Sequence, residues 1–281
     1  MSSVRHTGVV LACFMLSAAF LVACSAAPAP TISHTQPAPA TSCIVSAPPV
    51  SLNLDTFYTK YCAVQGIPLI SADVVPDAAL EQAWNLMDTM LSSVSEGVVQ
   101  KMLANKTRVG IVGADQNLTD MPEYSSLDEE FPLEYWKSWN QRARGLGATP
   151  YIPLASSSEE NLLCYPNDIY IGKNLLLHEF AHTVLLTGVE FDDKNFRGRL
   201  NEAYKAALDK GLWQNTYAAT TRDEYWAEGV QAYYNDNLEA SPANGYHGEI
   251  NTHEELRAYD PTLFGLIKEV FGEGDAVPGC P

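Results

Sequence analysis

The chain has 281 residues, enough for one sizeable hydrophobic core, and 46% hydrophobic with 18% charged residues is the make-up of an ordinary globular protein. Asp and Glu number 34 against 17 Lys and Arg, a formal net charge of −17. That balance argues against a nucleic-acid partner, whose phosphates need a basic surface, and against electrostatic docking on anionic lipid.

The first element reads as a targeting segment. Arg5 precedes the apolar run VVLACFMLSAAFLVA at residues 9–23, which has signal-peptide length and is short for a membrane span. Residues 1–23 therefore read as a signal peptide. The run ends in LVAC, residues 21–24, which resembles a bacterial lipobox with Cys24 as the lipidated residue. An ordinary secretory signal is the alternative. The first reading expects an exported cell-envelope lipoprotein, touching the membrane only through an anchor at Cys24; the second expects a secreted protein. SAAPAPTISHTQPAPATS at residues 25–42 has neither formal charge nor apolar period. Residues 24–50 read as a flexible tether rich in Pro, Ala, Ser and Thr, and residues 51–281 as one domain.

Cys13 leaves with the signal, so Cys43, Cys62, Cys164 and Cys280 remain, an even set suited to an oxidising compartment. Of three possible pairings, Cys43 with Cys62 and Cys164 with Cys280 is preferred, because the first pair closes a short local loop. There is no CxxC spacing to suggest a cysteine zinc site.

Within the domain, residues 77–105 have apolar residues at helical spacing. TRVGIVGAD at 107–115 reads as a strand entering a turn, with a polar loop after it. Residues 151–172 suggest short strands with loops. A helix is expected over about 174–186, with Gly188 as its stop. Further helices are expected over 220–237 and 252–271, the last broken near Pro261. A small strand region and then a helical half predict an α+β fold. There is no internal repeat, Gly-rich phosphate loop or G-x-S-x-G elbow.

The stretch NLLLHEFAHTVLLTG, residues 174–188, contains the spacing H-E-x-x-H. On a helix, His178 and His182 lie one turn apart on one face and can bind one metal ion, while Glu179 can reach a water on it. The residues around them are nearly all apolar, so this helix is buried, and two histidines with a carboxylate inside it need a partner. The third ligand is open between two glutamates. Glu202 lies 20 residues after His182, but position 206 is Ala. Glu224 is followed by Glu228 four residues on, on the same helix face, giving a ligand and a second acid to orient a histidine. Glu224 is preferred, although Thr221 to Glu224 is also a capping-box pattern. His253 sits in a second such box, Thr252 to Glu255, and is expected to be structural.

HEFAH together with the later YAATTRDEYWAEGVQAYY resembles the catalytic domain of anthrax lethal factor and its gluzincin relatives, over roughly residues 105–271. The resemblance implies a zincin-like zinc metallopeptidase, with Zn2+ held by His178, His182 and Glu224 and with Glu179 as general base. It also implies that Tyr217, seven residues before Glu224, donates to the oxyanion, and that Glu228 accepts from a zinc-bound histidine. His247 is an alternative oxyanion donor. The expected function is an exported zinc endopeptidase acting as a monomer on a peptide or protein. The rival is a non-catalytic surface lipoprotein or binding module stabilised by zinc, which would need a fourth protein ligand.

Overall fold

A computed structural model describes residues 42–274 and Val277. The expected signal segment, Cys24 and Cys280 lie outside the described residues.

Lys60–Val64 (β1) and Ile67–Ser71 (β2) form a hairpin about Gln65 and Gly66. Both turn residues have positive φ, 49° and 87°, which suits the twist of the flanking strands. The chain is tied to this hairpin upstream of residue 51. Ser46 bridges Tyr61, and Cys43 is joined to Cys62 by the expected disulfide. Residues 43–46 thus pack with the domain. Cys164 is also disulfide-bonded.

Asp77–Leu91 (α1) and Glu96–Ala104 (α2) come next. The single helix expected over 77–105 is divided because Ser95 starts a new one, its side chain accepting from Val98 N at 3.3 Å. The chain continues through Arg108–Val112 (β3), Leu127–Glu130 (α3), Trp139–Arg142 (α4), Leu154–Ser158 (β4) and Glu159–Leu162 (α5). The short strands expected over 151–172 reduce to β4, which runs directly into α5.

The sheet order is β1-β2-β3-β4, with β1 antiparallel to β2 and the other pairs parallel. Leu69, Val109, Ile111 and Ala155 join the helical core, whereas Ile70, Val112 and Leu154 join a second apolar cluster with Tyr124 and Leu127. Alternate residues thus serve two buried layers, and β2 and β4 are buried along their whole length. Leu146 forms an antiparallel bridge with Ser156, so the chain near 145–148 borders β4.

The helical half contains Leu175–Thr183 (α6), a π-helical segment Val184–Val189, Glu190–Asp192 (α7), Phe196–Asp209 (α8), Arg222–Tyr233 (α9), His253–Tyr259 (α10) and Pro261–Phe271 (α11). Gly188 does not stop the helix as expected; it lies inside the π segment. A Cβ there would come within 2.7 Å of Val98 Cγ1, so the glycine admits α2 at close range. Pro261 opens α11, as a missing N–H permits, and Asp260 caps Leu263 N at 3.1 Å. The expected α+β class is borne out. Among the described residues, no helix is long and apolar enough to cross a membrane.

Candidate metal centre

α6 begins at Asn174, whose side chain accepts from Leu177 N at 3.1 Å, while its own N–H donates to Asp236 Oδ2 at 2.7 Å. Leu175, Leu176, Leu177, Phe180 and Ala181 are buried, and His178 and His182 are buried with them. α9 begins at Thr221, whose hydroxyl accepts from Glu224 N at 3.1 Å. Glu224 therefore does sit at a capped helix start, with its side chain left for other work. α9 packs against α6, and Trp226 Nε1 donates to Ala181 O at 3.0 Å. This contact brings together side chains that are distant in sequence.

His178 Nε2 lies 3.0 Å from Glu224 Oε2, His182 Nε2 lies 3.3 Å from the same oxygen, and the two Nε2 atoms are 3.1 Å apart. These donor atoms all fall within 4.8 Å of one another. Ligands at about 2.0–2.1 Å from a tetrahedral zinc are separated by about 3.3 Å. The donor set fits zinc in identity and spacing. Two imidazole lone pairs and a carboxylate oxygen converge on one point, an arrangement that calls for a cation or a proton between them. Glu202 sits on α8 and takes no part in the group.

The electrostatics agree with that reading. Burial works against protonation of His178, but Glu224, Glu179 and Glu228 override it and push its pKa up to about 9. Burial tends to raise the Glu224 carboxyl, yet hydrogen bonds and charge from both histidines hold it well below the usual carboxylate range. The same negative field would attract a metal cation. Glu179, half-buried beside the pair, has its pKa raised by burial, with the two histidines opposing and Glu224 assisting.

Around this group the expected partners are partly rearranged. His178 Nδ1 donates to Gln231 Oε1 at 2.9 Å, whereas Glu228 Oε1 stands 3.5 Å from that nitrogen. Gln231 is thus the direct partner that Glu228 was expected to be. Glu228 is 2% exposed, accepts from Asn237 Nδ2 at 3.0 Å through Oε2, and leaves Oε1 without a hydrogen-bond partner. Tyr217 Oη donates to Glu224 Oε1 at 3.0 Å and accepts from Arg142 Nη2 at 3.1 Å. Burial and then Glu224 raise the Tyr217 pKa, while Arg142 opposes both. Tyr217, rather than His247, touches the ligand set. His253 is structural, in the expected capping box. Two residues were missed, Gln231 and Arg142. Gln231 had a signal, since Glu224, Glu228 and Gln231 at i, i+4 and i+7 share one helix face; Arg142 had none.

Gly147 lies where the edge segment crosses α6. A Cβ on it would come 2.6 Å from His182 Cβ and 3.2 Å from Glu179 O. Beside this crossing is a cavity of about 650 Å³ walled by Tyr124, Leu127, Phe131, Leu146, Gly147 and Ile152 among others.

The family model described as anthrax toxin lethal factor, N- and C-terminal domain, matches residues 72–241. The chain belongs to this family. The resemblance seen in α6 and α9 is borne out, and the matched lethal factor region takes in His178, Glu179, His182, Tyr217, Glu224 and Glu228. Among solved structures, the chain is similar to the PRO-PRO endopeptidase PPEP-2 from Paenibacillus alvei, with 12% identity over 72% of this chain and 96% of that one, at a TM-score of 0.46. No curated protein matches the chain.

Proposed function

We propose that this lethal factor family member is a zinc-dependent endopeptidase whose metal is held by His178, His182 and Glu224. The observation that carries the reading is the convergence of those three donors from α6 and α9, with Tyr217 on Glu224 and Glu179 alongside. Zinc bound there would act as a Lewis acid on a peptide carbonyl and would make water more acidic.

The protein's own groups would do the rest. Glu179, with its raised proton affinity, takes a proton from the attacking water on its carboxylate and passes it to the leaving amine. Tyr217 turns its O–H towards the carbonyl oxygen as negative charge grows there. Gln231 holds the proton of His178 on Nδ1, so that Nε2 keeps its lone pair for the metal. Glu228, buried just behind, adds negative charge that favours the same tautomer. The apolar cavity bordering Gly147 supports a substrate with a bulky apolar side chain near the scissile bond. The apolar run before Cys24 supports export and tethering of the enzyme by a lipid at that cysteine, working as a monomer.

The test is cleavage of a diverse peptide library by the zinc-loaded protein beside Glu179→Gln. Cuts made by the parent alone, with zinc still bound by the variant, are the expected result. Silence from both, with zinc bound, would return the protein to the non-catalytic reading.

A further inference from the structure

Two arginines stand two residues apart at the edge of the sheet, and they are used very differently. Arg144 spends its donors on the protein: Nε and Nη2 on the carboxylate of Glu160, at 2.6 and 3.1 Å, and Nη2 again on Gly113 O at 3.0 Å. It is a structural clamp. Arg142 makes one side-chain hydrogen bond among the described residues, and that bond goes to Tyr217 Oη. The turn that carries Arg142 is nevertheless firmly held. Asn140 Nδ2 donates to Thr119 Oγ1 at 2.7 Å and Asn140 Oδ1 accepts from Thr119 N at 3.0 Å. Trp139 Nε1 donates to Phe131 O at 2.8 Å and Trp139 N donates to Asp128 Oδ1 at 2.7 Å. A half-buried guanidinium is thus fixed over one phenol, and it contributes little to the cohesion of the fold.

We infer that Arg142 is a positioning residue for Tyr217. The inference rests on the peptidase reading above. Its guanidinium occupies a lone pair of the phenol oxygen, which fixes the hydroxyl's place and leaves its proton to point into the site. In the resting state that proton goes to Glu224 Oε1. During hydrolysis it turns to the carbonyl oxygen, and the positive charge 3.1 Å behind it strengthens the donor as negative charge builds. Arginine suits this task because it cannot lose its charge and its planar fork holds a fixed direction.

The experiment is a double-mutant cycle on the full-length, zinc-loaded protein, using a peptide taken from those the parent cleaves. Arg142→Gln should lower kcat about tenfold and leave KM within roughly twofold. In a Tyr217→Phe background the same change should have almost no effect, because the hydroxyl it serves is gone. Arg142→Lys should recover part of the loss through charge alone. Zinc affinity of Arg142→Gln, read by competition with a chelating dye, should match the parent.

Equal losses in the two backgrounds would overturn the inference, and so would a raised KM at unchanged kcat, which would make Arg142 a substrate-binding group. A fall in zinc affinity would place its action on Glu224 and also overturn it. A parent that cleaves nothing sinks the peptidase reading, and this role with it; a parent that cleaves while the cycle is additive sinks this role alone.

Discussion

Gly147→Ala puts one methyl group where the edge segment crosses the metal helix. Its Cβ would stand 2.6 Å from His182 Cβ and 3.2 Å from Glu179 O, where carbon atoms prefer about 3.5–4.0 Å. Both neighbours are held close to the α6 backbone, unlike the free end of a long side chain, so the two segments must part. Gly147 is not among the positive-φ residues, and the strain is one of contact. Overpacking of this kind costs about 1–3 kcal/mol, which in a domain of this size lowers Tm by about 2–12 °C. Zinc affinity should fall in the same variant, because the atom pushed aside is the Cβ of a candidate ligand. Gly198→Ala is the control. On α8 nothing lies within 4 Å of the added Cβ, and the change should stabilise by about 0.5–1 kcal/mol through helix propensity. Thermal unfolding and competitive zinc titration report both effects. A Gly147→Ala protein that melts within about 1 °C of the parent and binds zinc equally well would refute the crossing.

Glu224→Ala should sharply weaken zinc binding, whereas Glu202→Ala should leave it unchanged; isothermal titration distinguishes the two. Asp236 is buried beneath the start of α6, and burial pushes its pKa from 3.8 up to about 6. The folded chain then holds that proton more tightly than the unfolded one, so stability falls as pH rises from about 4 to about 6, by about 3 kcal/mol at 1.36 kcal/mol per pH unit. Asp236→Asn should flatten that part of the stability curve in urea melts run from pH 4 to 7, and an unchanged slope would remove Asp236 as its source. Replacing Cys43 and Cys62 together with Ser opens a loop of 19 residues and should cost about 3 kcal/mol in the chain-entropy treatment, measured by denaturant unfolding.

The features legible in the sequence were mostly those that a single helix carries. His178, Glu179 and His182 are fixed relative to one another by helical geometry, and Glu224 and Glu228 likewise, so their spacing could be read without the fold. Joining the two helices needed the family resemblance, because the contact between Trp226 and Ala181 that brings them together leaves no periodic trace. Gln231 was overlooked although it continues the same face. Arg142 could not have been found, since a loop brings it to Tyr217 from 75 residues away. The β1–β2 hairpin was missed although Gln65-Gly66 marks it, because Pro68 interrupts the alternation expected of a strand. The run past Gly188 was misjudged because a glycine at a helix end and a glycine under a packed neighbour look alike in sequence.

The π segment at Val184–Val189 has its own consequence. A π turn holds one residue more than an α turn, so the helix changes phase just after the metal-binding stretch. Gly188 meets α2 because of that slip. Deleting one residue, such as the half-buried Leu186, should let the helix close into uninterrupted α form and rotate everything after it by about 100°. The glycine would swing away, and a side chain would meet Val98 in its place. The length of this short stretch is therefore as much a part of the sequence's instructions as the identity of the residues in it. Swapping the helix for one from a relative that lacks the surplus residue would carry the histidines across and leave α7 and α8 out of phase with them.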